Sequence, residues 1–205
     1  TSEDTDDDND QITDAEDACA KGDLSWFSDS NTDYDSDGCR DSTEDSDDDN
    51  DLIVDTLDSC VKGEMSWSSD SVTDYDSDGC QDSSEDQDDD NDLIVDTLDL
   101  CAKGNLAWSS DSTTDYDSDG CQDSLEDIDD DNDQVSDSND ACAKGDMSWT
   151  SDSNTDHDSD GCQDSAEDTD DDNDQVLDAQ DACDRGDLSW LSDSTTDYDS
   201  DGCQD

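Results

Sequence analysis

One spacing constrains this chain more than any other feature. Cysteines stand at 19, 39, 60, 80, 101, 121, 142, 162, 183 and 203, in steps that alternate 20 and 21. The period is therefore 41 residues, and five periods (5 × 41 = 205) account for the chain. Trp26, Trp67, Trp108, Trp149 and Trp190 keep this phase, as do Gly22, Gly63, Gly104, Gly145 and Gly186. So do the cations Lys21, Lys62, Lys103, Lys144 and Arg185. A fixed period of this length specifies an array of one short unit that contacts its own neighbours. The units run 1–41, 42–82, 83–123, 124–164 and 165–205, with no separate domains. Joining Gly202-Cys203-Gln204-Asp205 to Thr1-Ser2-Glu3-Asp4 restores the internal pattern of 79–86, so the expectation is a window on a longer repetitive polymer.

What holds one unit together is the difficulty. Only 26% of residues are hydrophobic, and 71 Asp and Glu against 6 Lys and Arg give a net charge of −65. So little apolar surface cannot offset chain entropy, and a conventional hydrophobic core is excluded. A nucleic-acid partner is excluded because phosphates would be repelled. No apolar run is long enough for a membrane span. Regular Cys and Trp argue against simple disorder. The expected fold is an irregular coil array with little helix or strand.

Each period carries two acidic motifs. In the glycine motif, Asp33, Asp35, Asp37, Asp41 and Glu44 occupy positions 1, 3, 5, 9 and 12, with Gly38 at 6 and the Cys39 carbonyl at 7. It recurs as Asp74, Asp76, Asp78, Cys80, Asp82 and Glu85, and as Asp115, Asp117, Asp119, Cys121, Asp123 and Glu126. The fourth copy is Asp156, Asp158, Asp160, Cys162, Asp164 and Glu167; the fifth is Asp197, Asp199, Asp201, Cys203 and Asp205. Alternating carboxylates on a curling loop, a glycine for the turn and one backbone carbonyl are what Ca²⁺ needs for its six to eight oxygens.

The asparagine motif is Asp6, Asp8, Asp10, Ile12, Asp14 and Asp17, with Gln or Leu at position 6 and Asn at position 4 to tolerate unusual backbone angles. Its copies are Asp47, Asp49, Asp51, Ile53, Asp55 and Asp58; Asp88, Asp90, Asp92, Ile94, Asp96 and Asp99; Asp129, Asp131, Asp133, Val135, Asp137 and Asp140; and Asp170, Asp172, Asp174, Val176, Asp178 and Asp181. The aliphatic residue at 7 offers its carbonyl to the ion. An EF-hand is excluded, because 26–32 is poor in helix formers and no exit helix fits after Glu44. Each period averages −65/5 = −13. Several Ca²⁺ per period, about three to four, bring that charge into a tolerable range, with Asp45, Asp48, Asp86 and Asp89 available to bridge ions. Metal binding should then be folding.

The string Asp45-Ser-Asp47-Asp-Asp49-Asn-Asp51-x-x-x-Asp55-x-x-Asp58-x-Cys60, with Cys80 twenty residues on, resembles thrombospondin type 3 repeats in all five periods. The insert C-x-K-G-x-x-x-W-x-S and the absence of Pro depart from that family and are closer to repeats of large secreted microbial proteins. The resemblance implies an extended wire wrapped round rows of Ca²⁺, without a conventional core. It also implies disulfides between cysteines about 20 residues apart: Cys19–Cys39, Cys60–Cys80, Cys101–Cys121, Cys142–Cys162 and Cys183–Cys203. The spacing alone leaves the other register, beginning Cys39–Cys60, open. No C-x-x-C pair points to zinc, and disulfides place the chain outside the cell or at its surface.

Trp26 reads first as a small satellite core with Leu24, Tyr34 and the disulfide, and second as a platform for a ligand or carbohydrate. The lysines read as weak surface partners of surplus carboxylates, and His157 as a surface replacement for Tyr34. No N-x-[ST] sequon occurs; linker Ser and Thr leave O-linked glycans open. A single His and no nucleophile–base pair argue against an enzyme. The expected function is a Ca²⁺-stiffened, disulfide-stapled stalk or fibre, with identical chains or further repeats as its partners. A disordered calcium buffer or mineral nucleator, and an adhesion module using the Trp linkers, are the alternatives.

Overall fold

The computed structural model describes residues 4–205. Among the described residues there is no helix and no strand; turns and bends alternate from end to end. The chain is an irregular coil repeat array. Backbone hydrogen bonds nevertheless recur with the 41-residue period, and they show how each acidic motif closes on itself.

In both motifs the amide at position 9 donates to the carbonyl just before position 1: Asp55 to Ser46 at 3.0 Å, and Asp41 to Thr32 at 3.0 Å. The carboxylate at position 9 then accepts the amide at position 2, as Asp55 does from Asp48 (2.9 Å) and Asp41 from Tyr34 (3.0 Å). The carboxylate at position 5 accepts the amide at position 7, Asp51 from Ile53 at 2.7 Å and Asp37 from Cys39 at 2.8 Å. Two different sequence motifs thus fold into one loop design.

The backbone angles agree. Position 4 takes positive φ in both loops, at Asn50 (58°) and Ser36 (64°). So does position 6, where Gly38 has φ 91° and the asparagine loop has Leu52 at 82°, Gln134 at 79° and Gln175 at 78°. Asn tolerates this region, as its presence at position 4 suggested; Leu and Gln do so at a cost.

Five disulfides, Cys19–Cys39, Cys60–Cys80, Cys101–Cys121, Cys142–Cys162 and Cys183–Cys203, join each asparagine loop to the glycine loop that follows. Each closes a 20-residue separation, worth about 3 kcal/mol in the chain-entropy view. A backbone bond runs beside each bridge, such as Ser59 N–H to Asp78 O at 2.6 Å. The linker inside each bridge turns back on the asparagine loop: Gly63 N–H donates to Asp49 Oδ2 at 2.7 Å and Ser69 N–H to Asp51 O at 2.8 Å. A side chain on Gly63 would meet Glu85 Oε1 at 2.7 Å and Cys60 O at 2.9 Å, so that approach needs glycine.

The interior is inverted relative to an ordinary protein. Trp26, Cys39, Cys80, Cys121 and Cys162 are the buried hydrophobic residues, while the fully enclosed large side chains are aspartates, among them Asp10, Asp33, Asp51, Asp133 and Asp174. The satellite core expected around Trp26 does not include Leu24, which is 68% exposed, and Met65, Leu106, Met147 and Leu188 are exposed as well. Tyr34 serves elsewhere: its hydroxyl donates to Gly63 O of the next repeat at 2.9 Å. Two compact units can be separated, Thr1–Asn91 with Val95–Thr97, and Asp92–Ile94 with Leu98–Asp205. Both are built from the same loops.

Leu52 is exposed and strained, so Leu52→Gly should stabilise the protein by about 1 kcal/mol through relief of the positive φ. Thermal unfolding in calcium checks this; an unchanged or lower midpoint would contradict the strain.

Candidate metal centre

Carboxylates at positions 1, 3 and 5 of a loop must converge, because the chain curls and alternate side chains point inward. Asp6, Asp8 and Asp10 bring carboxylate oxygens within 4.8 Å of one another, as do Asp47, Asp49 and Asp51 in the next asparagine loop. Asp33, Asp35 and Asp37, and likewise Asp74, Asp76 and Asp78, do so in glycine loops. Position 12 of the asparagine loop feels the charges of this cluster, as Asp58 does those of Asp49 and Asp51. Asp58 Oδ1 accepts the Cys60 amide at 2.6 Å, and its other oxygen is enclosed without a hydrogen-bond partner in the protein.

The two loops differ in how their carboxylates are satisfied. In the asparagine loops the enclosed oxygens Asp49 Oδ1, Asp51 Oδ2 and Asp58 Oδ2 have no hydrogen-bond donor, and Asp133 Oδ2, Asp140 Oδ2, Asp174 Oδ2 and Asp181 Oδ2 repeat the pattern. Buried carboxylate oxygens without donors are costly unless a cation faces them. The residues present therefore fit a hard divalent cation with oxygen ligands. In the glycine loop the protein supplies more of its own donors. Asp33 Oδ2 accepts the Ser28 hydroxyl at 2.5 Å and the Gly38 amide at 3.2 Å, while Oδ1 accepts the Asp37 amide at 3.1 Å.

Several of the expected residues also bond to the protein itself. Position 9 (Asp14, Asp41, Asp55, Asp123, Asp137, Asp164, Asp178) accepts the position 2 amide and so closes the loop. Glu44 reaches back to the linker of the preceding repeat and accepts the Asp23 amide at 2.5 Å, while its Oε2 is enclosed without a donor; Glu85 and Glu167 accept the matching amides of Glu64 and Asp146 at 2.6 Å. Ile12, Ile53, Ile94, Val135 and Val176 are half-buried. Asp41 groups with Asp45 and Asp48, whose oxygens also lie within 4.8 Å of one another. Asp45 precedes the asparagine motif and Asp48 is its position 2; the surplus of charge marks both as carboxylates available to bridge ions. Asn50 ties the loops of neighbouring repeats, its side-chain amide donating to Asp35.

Lys62 is exposed and pairs with surplus carboxylates, as expected of the lysines. Its ammonium bonds Asp41 and lies 3.4 Å from Asp48, two enclosed carboxylates, with the Tyr34 ring centroid 5.8 Å away. Lys144 repeats this on Asp123 and Asp130, and Arg185 on Asp164 (2.6 Å) and Asp171 (3.0 Å). His157 is half-buried, and its Nε2 lies 3.1 Å from Gly186 O, where the tyrosine hydroxyls of other repeats sit.

The electrostatics follow from crowding in a poorly solvated interior. Burial foremost, then the charges of Asp49, Asp47 and Asp74, pushes Asp51 up to about 6. Asp58 rises to about 6 by burial and by the charges of Asp49, Asp51 and Asp78. Asp35 and Asp117 rise to about 7, again through burial first and then neighbouring aspartates.

No protein-family model matches the chain, and no curated protein matches it.

Raised carboxyl values mean that, without a counter-cation, the folded state binds more protons than the unfolded one. Stability of the stripped chain is full below the ordinary carboxyl value of 3.8 and is lost as pH rises through 6 to 7. Scattering on protein freed of divalent ions should therefore show compaction on acidification from about pH 8 to 5, and saturating calcium should abolish that dependence. Equal dimensions across the range would contradict it.

Proposed function

We propose that this chain is a calcium-binding structural repeat protein, disulfide-stapled, that serves outside the cell as a stalk or fibre. One observation carries the reading: enclosed carboxylate oxygens without protein donors recur at the same loop positions from repeat to repeat. The asparagine loops would hold the ion through positions 1, 3, 5 and 12, with Asp47, Asp49, Asp51 and Asp58 as one set. The glycine loops would hold it through positions 1, 3 and 5. Calcium suits an all-oxygen, loop-built site better than magnesium, which demands a tighter octahedron and retains its water. Bound there, calcium supplies the positive charge that this sequence lacks.

Repetition favours mechanics over catalysis, and we assign no catalytic role. The resemblance to thrombospondin type 3 repeats supports an extended, ion-lined architecture for the family-like loops. Five disulfides support an oxidising setting, and no helix among the described residues is long and apolar enough to cross a membrane. Extracellular modules bind calcium at about 10⁻⁴–10⁻³ M, a range that external fluids keep filled. The rings of Trp67, Trp108 and Trp149 are half-buried and Trp26 is buried, which gives little support to an exposed aromatic platform.

Asp51→Asn should lower the calcium affinity of its own loop at least tenfold, about 1.4 kcal/mol, and leave the other loops filled. Calorimetric titration of the disulfide-bonded chain reads this directly. Calcium binding indistinguishable from that of the unaltered chain would remove Asp51 as a ligand; no calcium binding by either would remove the function.

A further inference from the structure

We propose a further divalent-cation site at the junction between consecutive repeats, built from Asp41, Asp45 and Asp48 and shared with the ammonium of Lys62. It rests on the calcium reading above but is separate from the ligand sets proposed for the loops: Asp41 is position 9 of a glycine loop and Asp48 position 2 of the next asparagine loop, and neither belongs to those sets.

Two observations meet here. Asp41, Asp45 and Asp48 bring one oxygen each within 4.8 Å. Independently, Asp48 is only 5% exposed, and its Oδ1 is enclosed without a hydrogen-bond donor, as is Asp45 Oδ2. Lys62 does not satisfy them, because it lies on Asp41 Oδ2 and Asp48 Oδ2. The backbone accounts for the rest: Asp45 Oδ1 accepts the amides of Ser46 and Asp47 at 2.7 and 3.0 Å, and Asp41 Oδ1 accepts the Tyr34 amide at 3.0 Å. The two remaining oxygens are thus left for a cation.

The same atoms recur. Asp127 Oδ2 and Asp130 Oδ1 are enclosed without donors beside Lys144, and Asp168 Oδ2 and Asp171 Oδ1 beside Arg185. Asp130 and Asp171 are each 6% exposed. Charge sets the chemistry. Three carboxylates less one ammonium leave two negative charges, which one divalent ion balances. A shallow recess lined by Thr32, Arg40, Asp41, Asp48 and Lys62 gives access from solvent. Lys62, Lys144 and Arg185 therefore work as built-in partners that tune their junction sites: each shares the carboxylates with the ion and weakens binding there relative to the loops.

Native mass spectrometry of the disulfide-bonded chain titrated with Ca²⁺ tests this. The combined Asp48→Asn, Asp130→Asn and Asp171→Asn variant should hold three fewer ions at saturation than the unaltered chain, with the loop sites still filled. An unchanged count overturns the junction site while leaving the loop sites standing; an unaltered chain that binds no Ca²⁺ overturns both. Should the triple variant fail to fold, Lys62→Met with Lys144→Met decides. The count should stay the same, with tighter binding of two ions. A gain of two ions would mean that the ammonium groups alone fill the junctions, and would overturn the proposal.

Discussion

Repulsion among enclosed carboxylates is the constraint on which everything else in this molecule depends. Ordinary domains exclude water from apolar side chains and keep charge outside. Here the side chains excluded from water are aspartates such as Asp10, Asp33, Asp51 and Asp133, and the exposed ones include Leu24, Leu52 and Leu57. Unit charges about 4 Å apart repel by ~1 kcal/mol in bulk water and by more where solvent is thin. A fold that gathers such groups three at a time has to answer that repulsion with bound protons or with positive charge from outside the chain, because its own six Lys and Arg cannot balance it.

Backbone geometry explains why so acidic a sequence still has one shape. The aspartates do two jobs with their two oxygens. One oxygen accepts a nearby amide, as Asp51 Oδ1 does from Ile53 and Asp58 Oδ1 from Cys60, while the other turns inward. The amides thereby take the place of a sheet or helix ladder. Disulfides hold the paired loops in register, and the Tyr34–Gly63 and Lys62–Asp41 contacts carry that register from one repeat to the next.

Much of this was legible in the sequence, because period, cysteine phase and the alternation of acids are one-dimensional signals. The irregular coil array and the convergence of positions 1, 3 and 5 follow from them. The ranking of the loops does not. By sequence the glycine loop is the better calcium motif, yet the asparagine loop leaves more enclosed oxygens without donors. Position 1 accepts two backbone amides in both loops, at Asp33 and at Asp47; one difference lies at position 3, where the Asn50 side chain reaches Asp35 from outside the motif. Position 9 has a second task that the motif does not announce: one oxygen of Asp41 and of Asp55 accepts the position 2 amide and closes the loop. Tyr34 gave no hint of its task, because it is performed across a repeat boundary; the pairing of Lys62 with surplus carboxylates was expected, but not which ones. Leu24 looked like core because apolar residues usually are; in a chain whose interior is charged, that expectation fails.

Hydrogen exchange of the loop amides, followed with calcium and after its removal, tests the central claim most directly. The amides of Ile53, Val135 and Val176, held by the inward aspartates, should be protected in calcium and should exchange at nearly unfolded rates once divalent ions are stripped with the disulfides intact. Protection that persists unchanged at neutral pH in the stripped protein would show that something other than bound cations holds the loops, and would contradict the account.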